Sequence, residues 1–160
     1  MNGTTAPPVT LSGFSLALGS RLLVRELDFV RDYLDIERER FGERLAVSID
    51  DRDEIAQALV PALVLQPLVE NAVVHGVAPT GTHCAIAVRA RRVGEELLLE
   101  VENEGVPYVP AAGRGGVGLA NVRARISELY GDRARLDVRS REGDGCLATL
   151  ALPWREAEPA

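Results

Sequence analysis

Residues 60–76, VPALVLQPLVENAVVHG, constrain the fold more than any other stretch of the chain. Taken as a helix, the segment is apolar on most sides, through Leu63, Val64, Leu65, Leu68, Val69, Ala72, Val73 and Val74. A helix apolar almost all round belongs in a core, packed against a sheet. Its C-terminal half nevertheless carries Gln66, Glu70, Asn71 and His75. Burying such groups without partners costs about 1–3 kcal/mol each. Glu70 and Asn71 are adjacent, and His75 lies one turn beyond Asn71, so the three can share the rim of one face. Polar groups on buried helices are often structural. Three together, ending at a His-Gly stop, weigh equally toward a ligand.

The totals narrow the alternatives. A length of 160 residues suits one domain with a real core. Aromatics make up only 4%, so that core is built from Val, Leu, Ala and Ile. A net charge of −6 argues against nucleic-acid binding, which leaves a basic footprint. All 18 basic residues are Arg, which removes every lysine-based chemistry, from the phosphate-binding loop lysine to the Schiff base. Cys84 and Cys146 match no metal or redox spacing. No apolar run reaches the roughly 20 residues of a membrane span. The expected setting is cytoplasmic.

Four regions follow along the chain. Residues 1–20 read as a flexible leader. In 21–42, Leu23, Leu27, Val30, Leu34 and Phe41 form an a/d seam on a charged helix, interrupted by Glu37. That seam fits either a helix packed on its own domain or a dimer interface. Residues 43–155 form the main domain, and 156–160 a tail. Within the domain the pattern predicts strands at 44–49, 84–92, 96–103, 134–141 and 146–153, with helices at 60–76 and from Leu119 to Gly131. The order is that of an α/β two-layer sandwich, a mixed sheet covered on one face by helices and preceded by an N-terminal helix.

Residues 104–118 hold five glycines with Pro107 and Pro110, and cannot be regular structure. A Gly-rich loop running into a helix start is a physical anion site, because free N–H groups and the helix dipole point at one place. Gly113, Gly115, Gly116, Gly118 and Leu119 supply it here. Asn71 offers a hard oxygen suited to Mg²⁺, and Glu70 beside it can orient or deprotonate a hydroxyl or water.

These motifs resemble those of the GHKL, or Bergerat-fold, ATPases. LQPLVENAVVHG is similar to their N-box, VENEGVP to the first glycine box, and GRGGVGLANVRARISELYG to the second. Within that superfamily the match is to sensor histidine kinases of the autolysis-regulator type, over about residues 21–153. The resemblance implies ATP and Mg²⁺ as cofactors, with Asn71 as the metal ligand and Glu70 and His75 beside the phosphates. It implies that Asn103 accepts from the adenine amino group, where the family usually has Asp, with Gly105 keeping the pocket open. Gly116 and Gly118 would cradle phosphates, Asn121 would stand on the helix behind them, and 104–115 would be a lid. Cys146 occupies the place of a Thr that often supports the adenine, and Pro107 and Arg114 replace glycines of the two boxes.

Such kinases phosphorylate a histidine on an upstream helix. His75 belongs to the N-box and His83 starts a predicted strand, so the phosphoacceptor is expected outside this chain. The implied partners are a response regulator and the phosphoacceptor and dimerisation region, with a homodimer through 21–42 and a parent protein at a membrane. Two alternatives stand beside this reading: a non-catalytic binding module with a degenerate adenine site, and a stand-alone anti-sigma-factor-type Ser/Thr kinase.

Overall fold

The computed structural model describes residues 19–50, 52–108 and 116–158. β1 (Ser20–Leu22) leads directly into α1 (Leu23–Phe41), which Gly42 ends at φ +60°. β2 (Leu45–Asp50), β3 (Leu59–Pro61), α2 (Gln66–Asn71) and a π-helical turn (Ala72–Val77) follow. β4 (Cys84–Val93) and β5 (Glu96–Asn103) make a hairpin. α3 (Val117–Tyr130), β6 (Arg135–Ser140) and β7 (Cys146–Pro153) complete the domain.

Five strands form one mixed sheet in the order β2-β4-β5-β7-β6. β2 runs parallel to β4 and the remaining pairs are antiparallel. Period-two alternation decides which face is covered. Ile86, Val88 and Ala90 of β4, Leu97, Leu99 and Val101 of β5, and Ala148, Leu150 and Leu152 of β7 are all buried in one core with residues of the three helices. The opposite face carries a ladder of ion pairs, Arg89 to Glu102 at 2.6 Å and Arg91 to Glu100 at 3.6 Å. This is the two-layer α/β sandwich the sequence predicts.

Two expectations change. The helix predicted over 60–76 begins only at Gln66. Residues 59–61 instead pair with β1 as a two-stranded antiparallel sheet, Arg21 opposite Val60. Val60, Val64 and Leu65 are fully buried in that extended and turning backbone, so an apolar run alone does not separate helix from short strand. Pro67, not Pro61, takes the first helical turn, where a missing N–H costs nothing. The second change concerns the seam on α1. Leu23, Leu27, Val30 and Leu34 are at most 3% exposed, packed on the domain's own core. They are therefore not available as a dimer seam, and the intradomain alternative is the one adopted. Beyond β7 the chain stays tied down, with Glu156 bridged to Ala58 and Arg155 stacked over Tyr130 at 5.1 Å. Among the described residues no helix is long and apolar enough to cross a membrane.

Candidate functional site

One end of the sheet and the α2 helix define a two-lobed cleft. Asn103 closes β5 and pairs in register with Cys146, the first residue of β7. The buried phase of β5 turns Asn103 toward the helices, where it is 2% exposed. It sits directly under the π turn: a methyl group at Gly76 would stand 2.1 Å from Asn103 Nδ2. Only glycine permits that approach. Asn103 Nδ2 donates to Glu104 O at 2.9 Å. No hydrogen bond to its Oδ1 is made among the described residues, and Asn103 lines a cavity of about 270 Å³. Asn71, His75, Gly76, Pro79, Val106, Pro107, Tyr108 and Cys146 form the rest of that lobe.

Asn71 and His75 also border the second lobe, of about 170 Å³, which continues along α2 to the start of α3. Pro67, Glu70 and Asn71 line it from α2, and Val74 and His75 from the π turn, spaced as one helical face. Gly116, Gly118 and Leu119 line it from the other side. Leu119 N donates to Gly116 O at 3.0 Å, while the N–H groups at the very start of a helix have no intrahelical partner and face outward. Switching from α to π winding at Ala72 turns the chain less per residue and so re-aims His75 and Gly76 relative to a regular helix, a device frequent at functional sites.

The electrostatics of the two lobes differ. Glu70 is held by Gln66 Nε2, which donates to its Oε1 at 2.8 Å. Tyr33 of α1 lies close enough to feel that carboxylate. Burial first, then the charges of Glu37 and Glu70, push the Tyr33 hydroxyl up to about 12, so it stays protonated. In the Asn103 lobe, burial pushes the Cys146 thiol up to about 11. The cleft thus offers an enclosed hydrogen-bonding end and an open end edged by a helix N-terminus, a carboxylate and an amide.

The structure brings Glu70, Asn71, His75, Asn103, Gly116, Gly118, Leu119 and Cys146 into this one cleft. Gly105 borders the neighbouring surface depression with Thr80 and His83. Asn121 is exposed on α3 and lines neither lobe. Gly113 and Gly115, with most of the predicted lid, lie outside the described residues. Sequence reasoning missed Val74 and Pro79 as lining residues; both sit at helical or turn positions adjoining the motif, which was the available signal.

Residues 56–156 match the family described as histidine kinase-, DNA gyrase B-, and HSP90-like ATPase. The chain belongs to this ATPase family. ATP is therefore its nucleotide class. Sensor histidine kinase BtsS of Escherichia coli K12 is 38% identical over 134 residues, covering 84% of this chain and 24% of BtsS. Sensor histidine kinase YesM of Bacillus subtilis is 36% identical over 134 residues, covering 81% of this chain and 23% of YesM. The chain thus spans about a quarter of the length of these relatives. Among solved structures, the nucleotide-free catalytic domain of histidine kinase ThkA superposes with a TM-score of 0.63 at 17% identity, covering 86% of this chain and 97% of that one. The fold is that of a histidine kinase catalytic domain.

Proposed function

We propose that the chain is the ATP-binding catalytic domain of a two-component sensor histidine kinase, which passes the γ-phosphoryl group of ATP to a histidine on a helix outside it. The observation that carries this reading is the two-lobed cleft with Asn71 and His75 at its waist and Asn103 closing one end. Asn103 Oδ1 accepts from the adenine amino group. Its Nδ2 is committed to Glu104 O, which keeps the acceptor turned to the base. Val106, Pro79 and Cys146 supply the apolar walls.

The phosphates run past Asn71 to the start of α3, where oriented N–H groups favour anions. Among the described residues lining that lobe there is no Arg or Lys, and Glu70 adds negative charge. A triphosphate there needs a countercharge, and Asn71 Oδ1 is the hard oxygen that Mg²⁺ takes beside phosphates and water. Bound there, the ion would neutralise charge on the transferring group. Glu70, fixed by Gln66, orients the proton-bearing group nearest the phosphates.

The wider assignments follow from the same reading: a response regulator as downstream partner, a separate phosphoacceptor and dimerisation region, and a cytoplasmic position in a membrane-associated sensor. A complex of ThkA with the response regulator TrrA shares the fold at a TM-score of 0.61, which supports the first. The test supplies the acceptor in trans. Incubated with γ-labelled ATP and the histidine-bearing helical region of a related sensor kinase, the chain should label that region with alkali-stable, acid-labile phosphate. Acid-stable label on serine would favour the anti-sigma-factor-type kinase instead, and no label with no nucleotide binding would favour the non-catalytic module.

A further inference from the structure

Leu63 adopts φ +58°, and among the described residues it is the sole non-glycine in left-handed backbone. A leucine there is strained and persists only if its surroundings hold it. It stands in the turn between β3 and α2, immediately upstream of the helix that carries Glu70 and Asn71. Its side chain is half exposed at 48%, so packing does not account for the conformation.

Two side chains from distant elements grip this turn instead. Glu26 of α1 is 1% exposed. Its Oε1 accepts from the backbone N–H of Leu63 at 2.7 Å and its Oε2 from that of Leu65 at 3.3 Å. Arg21 Nε, at 3.4 Å from Oε1, balances the charge. From the other side, Arg125 of α3 donates through Nη1 to Ala62 O and through Nη2 to Gly19 O at 3.3 Å. Glu26 falls between Leu23 and Leu27 on the buried face of α1, where a leucine would serve packing at least as well. A buried carboxylate is costly unless its hydrogen bonds are made, and here they are made to one strained turn.

We propose that Glu26 is a positioning residue for the nucleotide site: its carboxylate fixes the turn at Leu63 and so sets where α2 places Asn71. This rests on the nucleotide reading given above. α1 and α2 are thereby joined by directed bonds as well as by packing, and a shift of α1 along its axis is passed to the Asn71 end of the cleft. Glu26 touches neither lobe and acts only through the turn.

The test compares the wild-type chain with Glu26→Gln, Glu26→Ala and Glu26→Ala/Leu63→Gly. Two probes are titrated calorimetrically: a non-hydrolysable ATP analogue with Mg²⁺, and adenosine without it. Glu26→Ala should weaken the Mg²⁺-nucleotide by at least about tenfold, the size seen when a metal ligand loses its support. Adenosine should stay within about twofold, because the base end shares no partner with the turn. Glu26→Gln keeps one acceptor oxygen and the side-chain shape, and should fall between; it carries the comparison if the alanine variant does not fold. Adding Leu63→Gly should restore most of the loss, since glycine holds φ +58° unaided. Equal weakening of both probes with a lower Tm, absence of rescue, or no change would overturn the proposal. If Asn71→Ala also leaves Mg²⁺-nucleotide binding unaltered, the nucleotide reading fails rather than the clamp. Amide exchange at Leu63 and Leu65, slow in wild type and fast in Glu26→Ala, then decides the clamp alone.

Discussion

The two ends of the cleft are built on opposite principles. Around Asn103 the backbone is fixed by close approach: strand register sets it beside Cys146, and a methyl group at Gly76 or Gly145 would stand 2.1 or 2.0 Å from its atoms. At the Asn71 end, Asn71, Glu70 and Gly118 are only part-buried and His75 is exposed, and the polar groups wait on solvent or a ligand. The difference teaches that the Asn103 end is preformed by the fold, whereas the Asn71 end is left to be completed by what binds. Substitutions at the first end should therefore register in stability, and those at the second in ligand affinity.

The largest effect should come from Gly145→Ala. A methyl group there would stand 2.0 Å from Asn103 O, on backbone at φ +122°. Overpacking and left-handed strain together should cost about 3 kcal/mol or more, read as a loss of Tm in thermal unfolding. Asn71→Ala should do the reverse. It should lower Mg²⁺-dependent nucleotide affinity by about a hundredfold or more, a metal ligand outranking its supports, while Tm barely moves. A large loss of Tm in Asn71→Ala would break the contrast.

These contrasts were unevenly legible in the sequence. Strands β4, β5 and β7 alternate cleanly, and each buried phase reads directly from residues such as Leu97, Leu99 and Val101. The polar trio Glu70, Asn71 and His75 of α2 and the π turn was legible because buried helices seldom carry three such groups. The helix start was not, because Val60, Val64 and Leu65 are buried in either a strand or a helix, and β1, with which residues 59–61 pair, is three residues long. The π turn has no signature in composition. Glu26 reads as one more charge on a charged helix, although it falls three residues after Leu23 and one before Leu27, on the same face. Spacing could have placed it inside; only the fold supplies the turn it holds.

Smaller effects sharpen the Asn103 end. Asn103→Ala removes one acceptor worth about 1–1.5 kcal/mol, so affinity for ATP and for adenosine should fall together by about tenfold, with the Mg²⁺ dependence unchanged. A selective loss for ATP would misplace the base. Cys146 should give the least. With its thiol near 11, the thiolate is scarce at neutral pH. Alkylation by iodoacetamide should then be slow at pH 7 and rise with pH toward 11, more slowly still with adenosine present. Rapid labelling at pH 7 would show the lobe to be more open than the packing around Asn103 describes.

The most direct test of the central claim is calorimetric titration of the chain with a non-hydrolysable ATP analogue, with and without Mg²⁺, in wild type and in Asn71→Ala. The account predicts binding that strengthens with Mg²⁺ and loses that dependence in Asn71→Ala. Binding indifferent to both Mg²⁺ and Asn71, or no binding at millimolar nucleotide, would contradict it.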